Sequence, residues 1–145
     1  MVVTRLLEDA EWIPVEKNSF QRSGSDILGV DHLGSCIGLG FHDPQESEVA
    51  LLHLGTREND ELEELVEQFL SGIDFREPYE AVAGGTISSR YDPLLDSDVY
   101  EQARDVVENA LEDNGFSYQT AWNEKPVYNR MVVSPEHGIL YDETV

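Results

Sequence analysis

The sequence predicts an α+β fold, a layered sandwich of mainly antiparallel β-sheets with two helices covering one face. Only two stretches carry apolar residues at helical spacing, whereas most of the remainder falls into short alternating runs bounded by turn residues. Strands separated mostly by turns, with two helices inserted between them, pack as sheet on sheet with the helices on an outer face. At 145 residues and 40% hydrophobic, the chain can bury one substantial core but is too short for two ordinary ones. A single domain over residues 1–145 is therefore expected.

In chain order, strands are expected at residues 2–7, 11–16, 26–31, 36–42 and 48–54. From 36 to 42, Ile37, Leu39 and Phe41 alternate with Gly38, Gly40 and His42, which puts Cys36 on the glycine side and leaves space above the sulfur. In the next run Val49, Leu51 and His53 share one side, and Ala50, Leu52 and Leu54 the other. The first helix begins near Asp60, with Glu63 three residues on as a capping box. Leu62, Leu65, Val66, Phe69 and Leu70 then recur at helical spacing until Gly72 ends the run. A strand at 79–84 leads into a loop from Gly84 to Leu95, rich in Gly, Ser and Asp-Pro and long enough to rim a site. The second helix runs from about Ser97 to Asn114. Its apolar stripe is Val99, Ala103, Val106, Val107, Ala110 and Leu111, and Gly115 is its C-terminal cap. Strands at 116–122, 127–134 and 138–142 follow.

Thirty acidic residues face nine basic ones, a net charge of −21, and only Lys17 and Lys125 are lysines. Such a surface repels phosphate backbones and anionic lipid, which argues against nucleic acid as a partner. The acids are spread along the whole chain and not gathered in a tail. The simplest reading is a halophilic acidic protein, its surface suited to a high-salt cytoplasm where ions screen self-repulsion. One cysteine excludes an internal disulfide and metal sites built from several thiolates, and no spacing resembles a metal site. Nothing approaches ~18 consecutive apolar residues, so no membrane insertion and a cytoplasmic location are expected.

The candidate chemistry lies in Cys36 and His53. Asp43-Pro44-Gln45-Glu46 joins their two strands, with proline where a turn wants a fixed φ. With those four residues as the loop, His42 pairs with Ser47 and Cys36 lies opposite His53, their Cβ atoms roughly 4.5–5.5 Å apart. A thiol beside an imidazole can give up its proton, and the thiolate is the nucleophile. Gly34-Ser35-Cys36 could bend to offer backbone N–H groups to a developing oxyanion. The plain alternative is a buried cysteine touching a structural histidine, because a free cysteine commonly serves as packing. Of the other histidines, His42 is expected at the surface near the turn, and His32 precedes a glycine bend with no readable direction. His137, in the turn Pro135-Glu136-His137-Gly138, is expected to be exposed.

Leu33-Gly34-Ser35-Cys36, the apolar strand ending in Asp43-Pro44, and a histidine seventeen residues after the cysteine together resemble the CheD family of chemoreceptor glutamine deamidases. More weakly, Ala81-Val82-Ala83-Gly84-Gly85 resembles that family's strand ending in a glycine pair, residues 97–115 its helix, and Asn129–Val133 with Gly138-Ile139-Leu140 its closing hairpin. The likeness spans most of the chain, but only the portion from L-G-S-C to the histidine is specific. The resemblance implies Cys36 as nucleophile, His53 as general base and no cofactor. It also implies a protein-bound glutamine of a chemotaxis receptor as substrate, and a CheC-type phosphatase as a candidate regulator. The family's third member, a threonine six residues before the cysteine, is Val30 here, which has no side-chain acceptor to orient an imidazole. A backbone carbonyl could take that role, as in the related necrotizing-factor toxins. Tyr128-Asn129 replace the family's glycines before its late arginine, and Leu54-Gly55-Thr56-Arg57 lacks its proline.

Three readings follow. The first is a CheD-like cysteine amidohydrolase, a protein-glutamine glutaminase, working through Cys36 and His53 with oxyanion or orienting help from Ser35, Gly34 and the Val30 position. The second is a catalytically inactive CheD-like binding or regulatory domain in chemotaxis signalling. The third is a cysteine hydrolase of a small amide or ester, with Trp122, Tyr91 and Tyr128 lining its pocket.

Overall fold

The computed structural model describes residues 11–31, 33, 36–56, 61–86, 97–123 and 128–144. Within them the chain runs β1 (Ile13–Pro14), β2 (Ser19–Ser23), β3 (Leu28–Val30), β4 (Cys36–Asp43), β5 (Glu48–Gly55), α1 (Leu62–Ser71), β6 (Glu80–Thr86), α2 (Ser97–Asp113), β7 (Gln119–Asn123), β8 (Tyr128–Ser134) and β9 (Gly138–Thr144). The strands form a four-stranded sheet, β1-β3-β8-β9, and a five-stranded sheet, β2-β5-β4-β6-β7. Only β1–β3 and β6–β7 pair in parallel, and the second pair is joined through α2. The architecture is the α+β sandwich expected.

The differences from the sequence-based elements are local. The expected strand 2–7 lies outside the described residues, as does the loop after Thr86, and 11–16 contributes only two strand residues. No strand was expected at β2, an edge strand with mostly exposed side chains and no apolar alternation. Its one large apolar residue, Phe20, packs edge-on against Phe69 at 5.5 Å between ring centroids. The strand expected from residue 116 starts at Gln119, because the end of α2 takes the preceding residues. Gly115 there adopts φ +76, the Gly115 N–H reaches the Glu112 carbonyl, and the Phe116 N–H reaches that of Leu111. This pair of bonds is the Schellman arrangement, and it draws Phe116 back onto the helix it follows.

Period two divides β4 and β5 between two cores. Ile37, Leu39, Phe41, Ala50, Leu52 and Leu54 face the helices and meet Leu62, Val66, Phe69 and Leu70 of α1 and Tyr100, Ala103, Val107, Ala110 and Leu111 of α2. Tyr100 was not in the expected stripe, although it stands three residues before Ala103 and seven before Val107, and it is fully buried. Val49 and Leu51 face the other sheet, where they join Leu28, Val30, Leu33, Met131 and Val133.

Since β4 is covered on both sides, its glycines have a steric purpose. A Cβ on Gly40 would stand 2.9 Å from Val133 Cγ1, and one on Gly38 would stand 3.1 Å from Leu33 Cδ1 and 3.2 Å from the Met131 sulfur. The space expected above the glycines is therefore filled by the second sheet for most of the strand. Only at Cys36, where β4 begins, does burial become partial.

The β4–β5 register differs from the expected one by two residues. Asp43 pairs with Glu48, so the loop is Pro44-Gln45-Glu46-Ser47, and Cys36 stands opposite Gly55 while His53 stands opposite Gly38. The Asp43 carboxylate accounts for the shift. Its Oδ1 accepts the N–H groups of Gln45 at 3.0 Å and Glu46 at 3.2 Å, which caps the turn from inside the ladder. Ser47 closes the loop in the left-handed region at φ 53. A two-residue shift preserves the side on which every residue points. Cys36 and His53 thus share a face as diagonal neighbours, a relation that spaces such positions roughly 7–8 Å apart.

His42, expected at the surface, is 5% exposed. Its Nδ1 lies 3.1 Å from Glu80 Oε1 and its Nε2 3.2 Å from the Pro135 carbonyl, so it ties β4 and β6 to the β8–β9 turn. The neighbouring β9 leaves room for this at Gly138, where a Cβ would stand 3.2 Å from the ring. His42 is a structural residue at the far end of the sandwich from Cys36. His137 lies exposed in the 135–137 turn, as expected.

Candidate active site

Cys36 opens β4 and Gly55 ends β5 beside it. The ends of β6 and β7 and the start of β8 lie at the same end of the sandwich, since β6 is antiparallel to β4, β7 is parallel to β6, and Met131 near the start of β8 packs over Gly38. The segment between β1 and β2 crosses from one sheet to the other at this end, because β1 belongs to the four-stranded sheet and β2 to the five-stranded one. Three bonds lash that segment to β5. The Asn18 N–H donates to the His53 carbonyl at 2.7 Å, Asn18 Oδ1 accepts the Gly55 N–H at 2.9 Å, and the Val15 carbonyl accepts from His53 Nδ1 at 2.9 Å. Asn18 makes the reversal by adopting φ 61, a region that asparagine tolerates better than most residues.

The bond to Val15 defines the histidine. A carbonyl can only accept, so Nδ1 carries the proton and Nε2 presents a lone pair. Nε2 is buried and has no hydrogen-bond partner among the described residues, the Cys36 thiol included. The direct thiol–imidazole contact expected from an Asp43–Glu46 turn is thus replaced by a diagonal relation on one face. Nothing in the sequence pointed to Val15, because a backbone carbonyl has no residue signature. Val30 does not orient the ring. It is 2% exposed, lies in the other sheet opposite Met131, and packs in the core between the sheets.

Electrostatically the resting pair is neutral. Burial pushes the Cys36 thiol up, with the Lys17 ammonium pulling the other way. Burial holds the His53 imidazole down, the Val15 bond offsets part of this, and Lys17 adds to the depression. The thiolate expected from proximity is accordingly not preformed, and the arrangement suits an imidazole that accepts the thiol proton as the sulfur attacks. Lys17 stretches over Gly55. A Cβ on Gly55 would stand 2.9 Å from Lys17 Cδ and 3.2 Å from Cγ, so this glycine makes room for the lysine stem directly across from Cys36.

The Gly84-Gly85 pair receives side chains from both sides. A Cβ on Gly84 would stand 2.8 Å from the Tyr141 ring, and one on Gly85 would stand 2.5 Å from both Tyr100 Oη and the Cys36 carbonyl. The Tyr100 hydroxyl is buried without a partner among the described residues, and burial raises it far above the ordinary phenol value. Trp122, opposite Gly85 in the ladder, is half-buried against the helix-side core with the Arg104 guanidinium 6.0 Å above its ring. Gly34, Ser35, His32 and Tyr91 lie outside the described residues.

An α+β sandwich with a lone thiol and an oriented imidazole at one end of the five-stranded sheet is the class that fold and geometry define. Among solved structures, the chain is similar to protein NMB0706 of Neisseria meningitidis, of family model DUF152, with a TM-score of 0.51 and 15% identity over 74% of this chain and 54% of that one. It is also similar to the hypothetical protein YfiH of Bacillus licheniformis, with a TM-score of 0.46 and 17% identity over 70% of this chain and 49% of that one. The likeness to NMB0706 shows a shared fold, and this chain spans about half the length of each of the two proteins. No protein-family model and no curated protein matches the sequence. Among the described residues, no helix is long and apolar enough to cross a membrane.

Proposed function

We propose that this chain is a CheD-like cysteine hydrolase that deamidates glutamine side chains of a protein substrate, a chemotaxis receptor by the resemblance in its L-G-S-C segment. The observation that carries the reading is the state of His53: Nδ1 committed to the Val15 carbonyl, and Nε2 left buried, with no partner among the described residues, on the face that Cys36 shares. A main-chain carbonyl in place of a side-chain acceptor also removes the objection raised by Val30.

In this reading the Cys36 sulfur attacks the carboxamide carbon while its proton passes to His53 Nε2. The Val15 carbonyl stabilises the imidazolium through Nδ1–H. Backbone N–H groups around Ser35 and Cys36 would hold the oxyanion. Collapse of the tetrahedral intermediate breaks the C–N bond, and ammonia leaves with the proton from Nε2. The same nitrogen then takes a proton from water, whose oxygen attacks the thioester carbon. The sulfur leaves, recovers a proton, and glutamate remains. Catalytic hydrogen bonds often close only with substrate in place, so the diagonal spacing of the pair is compatible with this sequence.

The test is ammonia release from a chemoreceptor fragment carrying a receptor glutamine. The wild-type chain should release it, whereas Cys36→Ala and His53→Gln should lower the rate by at least ~100-fold, the scale on which a nucleophile or general base acts. Activity that survives Cys36→Ala ends the mechanism. A second reading, a binding domain without turnover, is favoured by the raised thiol and the missing sulfur–nitrogen bond. In that case the receptor fragment binds wild type and Cys36→Ala equally, and neither releases ammonia.

A further inference from the structure

We propose that Lys17 makes the Cys36 end of the sandwich an anion subsite, so that the thiol favours substrates with a negative charge close to the group attacked. The inference deepens the hydrolase reading by naming the substrate class, and it rests on that reading only for the identity of Cys36 as the reacting group.

Positive charge is rare on this chain. Nine basic residues stand against thirty acidic ones, so an anion approaching this surface is repelled almost everywhere. Lys17 is nevertheless placed at the one cysteine, and its placement is built. Gly55 is the direct ladder partner of Cys36, which puts the space above Gly55 beside the cysteine side chain. Lys17 Cγ and Cδ fill that space at 3.2 and 2.9 Å from where a Cβ would be. The backbone that carries the lysine is pinned on both sides, by Val15 to His53 and by Asn18 to His53 and Gly55. The segment that orients the imidazole therefore also delivers an ammonium to the same corner. The lysine charge acts on both Cys36 and His53. Close by, His53 Nε2 is buried with no partner among the described residues. A thiol, a base and a lysine whose stem lies over Gly55 at one corner suit a substrate with an acyl carbon and a neighbouring negative charge.

Alkylation of Cys36 measures this without requiring hydrolysis. Iodoacetate and iodoacetamide react alike: the sulfur–carbon bond forms, the carbon–iodine bond breaks with loss of iodide, and the thiol proton passes to base. They differ in the carboxylate beside the attacked carbon. At fixed ionic strength, the ratio of the iodoacetate to the iodoacetamide rate should fall roughly three- to tenfold in Lys17→Met, which keeps the stem and removes the charge. Lys17→Arg should hold the wild-type ratio. An unchanged ratio in Lys17→Met overturns the proposal, as does a Cys36 that resists both reagents until the chain is unfolded. If the ratio is unchanged while ammonia release persists, the anion subsite fails and the hydrolase reading stands. If the ratio falls while no ammonia is released, the hydrolase reading fails and the subsite stands.

Discussion

His53 carries the most consequence of any single residue, because one bond decides its tautomer and its burial decides its charge. The imidazole sits below its ordinary value of 6.5, chiefly through burial. Above pH 6.5 the ring is neutral in folded and unfolded chains alike, and its contribution is fully present. As pH falls below 6.5, the unfolded chain takes up a proton that the folded ring refuses, so stability is lost until the folded ring also titrates. The urea midpoint should accordingly drop on acidification from pH 6.5, and the drop should be smaller in His53→Gln, which has nothing to titrate. An identical acid slope in both proteins would show that burial does not hold the ring neutral.

At the scale of elements, β4 explains why glycine alternates with large apolar residues. One face lies under two helices and the other under a second sheet, and the two glycines let Met131, Val133 and Leu33 descend onto the strand. Gly40→Ala is expected to cost about 1–3 kcal/mol, because the Val133 methyl at 2.9 Å is locked in a close-packed core. Urea denaturation would measure it, and a change within ~0.5 kcal/mol would mean that the two sheets are less tightly packed than described. The same element shows how a register is chosen. The Asp43 side chain, 3% exposed, caps the turn and keeps its own backbone in the ladder. That choice moves Gly55, and with it Lys17, opposite Cys36.

For the molecule as a whole, the dominant quantity is a net charge of −21. Self-repulsion on this scale works against compaction, and salt relieves it as the screening length shrinks from ~10 Å at 0.1 M to ~3 Å at 1 M. The melting temperature should therefore rise steeply with KCl up to about 1 M and flatten beyond it. A flat response from 0.1 M upward would remove the high-salt reading of the surface. The sandwich also separates tasks along its length. His42, Glu80 and the Pro135 carbonyl fasten one end, while the thiol, imidazole and lysine gather at the other.

Periodicity and turn chemistry are local, and so the sequence by itself determined both helices, most of the strands, the Gly115 cap and the sides on which Cys36 and His53 point. Those sides survive a two-residue register error because the strand repeat is two. The edge strand β2 was illegible because an edge that buries little leaves no alternation to read. Everything that depends on segments meeting across the two sheets was decided only by the tertiary structure. Val15 holds His53 through a carbonyl that every residue possesses, Lys17 lies over Gly55, the ladder partner of Cys36, and Tyr100 and Tyr141 descend on the glycine pair from opposite sides. Such relations arise from how the layers stack, and no local pattern of residue types encodes them.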